Sequence, residues 1–191
     1  LPYVMGQGNR KLSKRDPQSN LLIHRYRGMI PEGLLNYLAL LGWSLSAERD
    51  VFSAAEMIEA FDVHDVNPNP ARFDIKKATA INADHIRMLA PADFASRLVP
   101  YLQAAEVLPA EPTDAQLAIL AEAAPLVQTR MNLLGEAPDL LAFLFTPDAE
   151  LTMSEDGLKT LKDSAPEVLA ASIEVLEGVE DWRTETLQAA L

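Results

Sequence analysis

A chain of 191 residues can build one or two domains, each with its own core. Hydrophobic residues make up 49% of it but aromatics only 6%, so Leu, Ala, Ile and Val fill the core, and the absence of cysteine excludes disulfides and thiolate metal sites. The net charge of −12 argues against generic nucleic-acid binding, yet residues 1–100 hold 12 Lys and Arg against 11 Asp and Glu while residues 101–191 hold 4 against 17.

In chain order, Leu1 to Met5 reads as a short strand running into a turn at Gly6-Gln-Gly8-Asn, and Lys11 to Pro17 as a charged loop. Ser19 or Asn20 caps a helix through Leu21, Leu22 and Tyr26 that ends near Gly28. Pro31 opens the next helix, with Glu32 in its first turn. Its apolar positions Leu34, Leu35, Leu38 and Leu41 suggest one buried face, and Gly42 stops it. Trp43 then seals the helix end as a core aromatic. Ser53 followed by Glu56 has the form of a capping box for a helix from Ala54 to Phe61.

After the loop Asn67-Pro-Asn-Pro70 come two short helical pieces, Asp74 to Ala80 and Asn82 to Met88, the second capped by Asn82. Pro91 begins a helix to about Ala105, and Leu108 to Thr113 is a linker. Beyond it the pattern is helical throughout. Expected helices run from Asp114 to Ala124, from Pro125 past Met131, and over 138–145, 154–164, 166–177 and 181–191. The fold class is all-α.

Three histidines, His24, His64 and His85, lack the spacing of a helical metal pair, so no metal site is expected. No apolar run reaches the length of a membrane helix, the first residues do not form a signal peptide, and a cytoplasmic location follows as the default. Position 1 is not Met, so the chain reads as cut from something longer.

The string Lys11-Leu-Ser13-Lys14-Arg15 is the sharpest chemical feature. Two lysines at i and i+3 flank a small hydroxyl residue after a Gly-rich turn, so ammonium groups and backbone N–H groups can converge on a triphosphate. Its use would be electrostatic, neutralising charge on a departing pyrophosphate. Such strings also arise by chance on surface loops.

The string continues to Asp16-Pro17. It is followed by Gly28-Met-Ile-Pro-Glu-Gly-Leu-Leu-Asn-Tyr-Leu-Ala-Leu-Leu-Gly-Trp-Ser44 and by Phe73-Asp-Ile-Lys-Lys-Ala-Thr-Ala-Ile-Asn82. In this order and spacing they resemble the bacterial glutamyl-tRNA synthetase family, class I aminoacyl-tRNA synthetases that attach glutamate to tRNA(Glu) through a glutamyl-adenylate made with ATP and Mg2+. The resemblance covers essentially the whole chain. It implies an elongated, multi-helix anticodon-binding region, preceded by a helical stem-contact region and a strand and loop from the catalytic domain. The boundaries it implies are 1–27 for the end of the catalytic domain, 28–90 for stem contact, and 91–150 and 151–191 for two anticodon-binding subdomains.

By the same resemblance, Lys11, Ser13, Lys14 and Arg15 belong to the ATP-binding loop, with Leu12 standing for the Met of the K-M-S-K-S string and Arg15 for its last Ser. Lys76, Lys77, His85 and Arg87 become candidate tRNA contacts, although one of the two lysines could merely solvate a helix face. Arg130, the only Lys or Arg between Arg97 and Lys159, sits in an otherwise apolar stretch. It can be a structural ion-pair partner, or the arginine that in this family inspects the third anticodon base.

No His-x-Gly-His string and no doubly wound sheet is present, so no catalytic residue is expected in this chain, and by itself it is expected to be inactive and to bind no cofactor. A monomer is expected. The competing reading is a stand-alone helical module that binds RNA or protein and ligates nothing.

Overall fold

The structure, a computed structural model, describes residues 3–6 and 10–191; Leu1, Pro2, Gln7, Gly8 and Asn9, and with them parts of the expected strand and turn, lie outside the described residues. Among the described residues there are ten α-helices and one two-stranded sheet, which meets the all-α expectation. No helix among them is long and apolar enough to cross a membrane. The chain divides into two compact units, Leu1–Thr146 and Pro147–Leu191.

In the first unit, β1 (Val4–Met5) pairs in parallel with β2 (Ala71–Arg72), Val4 opposite Ala71 and Met5 opposite Arg72. The helices are α1 (Leu21–Arg27), α2 (Pro31–Ala39), α3 (Ala54–Ala60), α4 (Ile75–Met88), α5 (Pro91–Ala104), α6 (Asp114–Gln128) and α7 (Ala137–Leu141). Asn20 caps α1 by accepting from the Leu22 N–H, and Gly28 closes it at φ 97°, a left-handed conformation that favours glycine. Ser53 and Glu56 form the full capping box of α3, and Thr113 with Gln116 forms another for α6.

Two hydrophobic clusters fill this unit. One gathers Met29, Tyr37, Phe73, Ala78 and Ile81 between α2 and α4. The other joins Ile30 and Ile86 to Phe94, Leu98, Leu102, Leu120, Met131 and Leu141. The second cluster therefore runs across residue 90, and Leu108, inside the expected linker, is buried in it. Trp43 is buried as expected, edge-on to Phe52 at 5.5 Å.

Several elements differ from the sequence pattern. The face of α2 that is fully buried carries Gly33, Asn36 and Tyr37, while Leu35 and Leu38 are exposed. Gly33 explains the choice: a Cβ there would come within 2.7 Å of the Asn82 Cα, so α2 and α4 meet at the one residue without a side chain. Ile75–Met88 form one helix, capped by Asp74, rather than two pieces. Asn82 is not a cap but a buried mid-helix residue, whose Oδ1 accepts from the Ile30 N–H (2.8 Å) and whose Nδ2 donates to the Asn132 carbonyl (2.7 Å). With its amide engaged across the fold it does not compete for its own helix backbone.

Pro125 lies inside α6, near its end, and starts no new helix. The stretch 138–145 is split between α7 and a 3₁₀ turn at Ala142–Leu144. The second unit holds α8 (Glu155–Thr160), α9 (Ala165–Glu177) and α10 (Thr184–Ala190), with the Ser154 hydroxyl capping α8 by accepting from the Gly157 N–H at 3.1 Å.

Candidate functional site

The basic loop is built on β1. The Leu12 N–H donates to the Val4 carbonyl and the Gly6 N–H to the Arg10 carbonyl, both at 2.8 Å, while Phe73 N–H donates to Met5 at 2.9 Å. The two-residue strand is thus flanked by the start of the loop on one side and by the segment leading into α4 on the other. A strand this short shows no alternation, so the pairing partner at Ala71–Arg72 could not be read from sequence.

Beyond that base, Lys11, Ser13, Lys14 and Arg15 are exposed. No ion pair involves Lys11, Lys14 or Arg15 among the described residues, although the Lys11 Nζ lies 3.9 Å above the ring of Tyr3. Asp16 closes the loop. Its carboxylate accepts from the Ser13 N–H at 2.6 Å, its own N–H donates to the Ser13 carbonyl at 3.0 Å, and the Ser13 Oγ accepts from the Arg15 N–H at 3.3 Å. Hydrogen bonds from the Ser13 backbone and hydroxyl hold the Asp16 carboxyl below its usual range, and the charge of Arg10 adds to this. Uncommitted cations and an ordered turn suit a polyanion such as a triphosphate.

The second set of candidates is scattered over α4 and the turn after α6. Lys76 is exposed and in no ion pair among the described residues, whereas Lys77 pairs with Asp50 at 2.8 Å and Arg87 with Asp84 at 2.8 Å, both at the surface. His85 corrects the expectation of a phosphate contact. It is only 4% exposed, its Nε2 is 2.8 Å from the Asn36 Oδ1, and burial pushes its pKa down. Because that oxygen also accepts from the Phe52 N–H (3.0 Å), it is an acceptor and the ring donates to it from Nε2, while burial disfavours the protonated form. His85 is a cross-brace between α2 and α4, and a surface phosphate cannot reach it.

Arg130 does not stand on an apolar helix. It lies in the exposed turn after α6, its N–H donating to the Val127 carbonyl at 2.9 Å, and no ion pair holds its side chain among the described residues. The structural ion-pair reading therefore finds no acidic partner.

One cation was missed. Arg27, in the last turn of α1, joins Lys76 and Thr79 of α4 around a depression of about 360 Å³ beside Asn132. Their meeting depends on a close backbone crossing: Leu134 N–H donates to the Gly28 carbonyl at 2.9 Å, and a Cβ on Gly135 would lie 2.7 Å from the Arg27 carbonyl oxygen. Only the two glycines, far apart in sequence, hint at it. A broader groove of about 510 Å³ beside α1, α2 and α5 is walled largely by leucines and prolines, and its Arg97 is engaged by Glu32 and Asp93.

Comparison with known proteins covers the whole chain. Residues 93–191 match the family model of the anticodon binding domain, and residues 1–80 that of the catalytic domain of class I tRNA synthetases (E and Q). A glutamate–tRNA ligase of Clavibacter sepedonicus is 65% identical over 193 residues, covering 100% of this chain and 38% of that protein. One of Kineococcus radiotolerans is 61% identical over 191 residues with the same coverage. The chain thus spans well under half the length of these relatives.

Among solved structures, a glutamate tRNA ligase from Elizabethkingia meningosepticum in complex with its amino acid shares the fold. Its TM-score is 0.77 at 21% identity, over 100% of this chain and 40% of that one. With the anticodon-binding model alone covering more than half of its residues, the chain belongs to the anticodon binding domain family.

Proposed function

We propose that this chain is the tRNA-binding part of an ATP-dependent glutamate–tRNA ligase, contributing one loop to the site where glutamate is activated. The observation that carries the reading is the loop Lys11–Arg15, whose three cations are exposed on a hydrogen-bonded turn and in no ion pair among the described residues. Lys11 and Lys14 would hold the phosphates of ATP, Ser13 and Arg15 would support the loop, and charge building on pyrophosphate would be neutralised there.

Among the described residues no group of three or more His, Asp or Glu is placed to hold a metal, so the magnesium ion of such a reaction would enter on the triphosphate. Arg27, Lys76, Lys77 and Arg87 are suited to the tRNA backbone, and Arg130 to a base edge of the anticodon. The region 28–90 would lie along the tRNA stem and 91–191 at the anticodon. Glutamate, ATP and tRNA(Glu) are the partners of the whole enzyme, which we take to be a cytoplasmic monomer.

The test is Lys14→Ala in the full-length ligase. Glutamate-dependent ATP–pyrophosphate exchange should fall at least tenfold, roughly the worth of one charge-assisted contact, while tRNA binding stays within about twofold. Exchange at the wild-type rate would overturn the assignment of the loop.

A further inference from the structure

We propose that Asp16 is a positioning residue for the amino-acid activation step, holding the basic loop in the turn that presents Lys14. The inference rests on the reading of that loop as the ATP-phosphate site.

Ser13 lies between the two lysines, and nearly every polar group of its backbone and side chain is engaged by the residues that follow. The Asp16 carboxylate takes the Ser13 N–H at 2.6 Å, and the Asp16 N–H returns to the Ser13 carbonyl at 3.0 Å. The Ser13 hydroxyl oxygen accepts from the Arg15 N–H at 3.3 Å. Asp16 is fixed in its turn. Pro17 follows it and restricts it to extended backbone, seen at φ −77° and ψ 126°, and its carbonyl accepts from the Ser19 hydroxyl at 2.8 Å. The clasp thus ties the loop to the capped start of α1.

Lys14 lies inside this ring of hydrogen bonds, whereas Lys11 is held separately by the strand bridge to Met5 and by the ring of Tyr3. Without Asp16, the backbone about Lys14 would sample many directions, and ordering it would fall to the transition state. The oxygen of the side chain matters here more than its charge, because an acceptor at that reach is what Ser13 N–H needs.

The test compares Asp16→Ala, Asp16→Asn and Lys14→Ala in the full-length ligase, with helical content and melting temperature followed alongside. Asp16→Ala should lower kcat of ATP–pyrophosphate exchange by roughly tenfold, the loss of one charge-assisted hydrogen bond, with a smaller change in KM for ATP and no change in melting. Asp16→Asn, whose amide oxygen can accept the same N–H, should recover most of that rate. Wild-type exchange in Asp16→Ala, or losses of equal size in the Ala and Asn variants, would overturn the positioning role. Lys14→Ala separates the two levels: if it abolishes exchange while Asp16→Ala does not change it, this inference fails alone; if neither variant has an effect, the assignment of the loop fails with it.

Discussion

At Arg130 the guanidinium belongs to an exposed turn and pairs with no acid among the described residues, so its donors are available to a ligand. Cytosine, the third anticodon base of glutamate tRNA, offers O2 and N3 as acceptors on its pairing edge. Guanine, found there in glutamine tRNA, offers only O6 and sets two donors of its own against the arginine. An unsatisfied donor costs about 1–3 kcal/mol, or roughly ten- to hundredfold in discrimination. Arg130→Gln in the intact ligase should therefore narrow the difference in charging between the two tRNAs and leave glutamate activation unchanged. An unaltered charging ratio would reduce Arg130 to a surface residue.

His85 belongs to the same scale but to stability. Its pKa is lowered by burial, so the folded state disfavours the protonated ring. A depressed histidine contributes stability that is present above its unfolded value of about 6.5 and lost as pH falls below it. His85→Gln keeps a donor for the Asn36 Oδ1 and has no titrating group. Its unfolding midpoint should vary less than that of the wild type between about pH 7 and pH 5, as read by denaturant titration followed by circular dichroism. Equal slopes would show that the ring is not the titrating group.

Among elements, α3 depends most on local chemistry. It buries no residue fully, and its start is held by the reciprocal bonds of Ser53 and Glu56 with Arg49 on the same carboxylate at 2.6 Å. Hydrogen bonds from the Ser53 N–H, then from Arg49 and the Ser53 hydroxyl, bring the Glu56 pKa down from 4.5 to about 2. A depressed carboxylate stabilises above its unfolded value, and this support is lost as pH falls from near 4.5 through about 2. Ser53→Ala should cost roughly 1 kcal/mol in this segment and raise the Glu56 pKa toward the ordinary range. Amide exchange over 54–60 and the carboxyl titration seen by NMR would measure both; unchanged protection would mean that the cap is redundant.

For the whole molecule, proximity decides activity. A loop that contacts phosphates contributes only when the rest of the site holds adenosine and glutamate in line with it. The isolated chain should accordingly show background ATP–pyrophosphate exchange, with or without tRNA, while spectroscopically helical. Exchange above background by the purified chain would contradict the proposed division of labour.

Local rules account for what was legible in the sequence. The Asn20 and Ser53 caps, the Gly28 terminus, the opening Pro31 and Pro91, the Trp43 seal and the basic loop each rest on residues within a few positions of one another, so residue type and spacing suffice. The all-α character follows likewise from composition. Other features rest on partners far along the chain. Asn82 reads as a cap until Ile30 and Asn132 take up its amide, the leucine stripe of α2 misleads because Gly33 admits α4 on another face, and His85 looks like a surface base until Asn36 encloses it. Arg27 and Lys76 share a depression only because the chain crosses itself at Gly28 and Gly135. Capping and turn preferences are energies of neighbouring residues and are written in sequence order. The burial of a polar group, or the approach of two cations, depends on which backbone arrives from a distance, and that is decided when the helices pack.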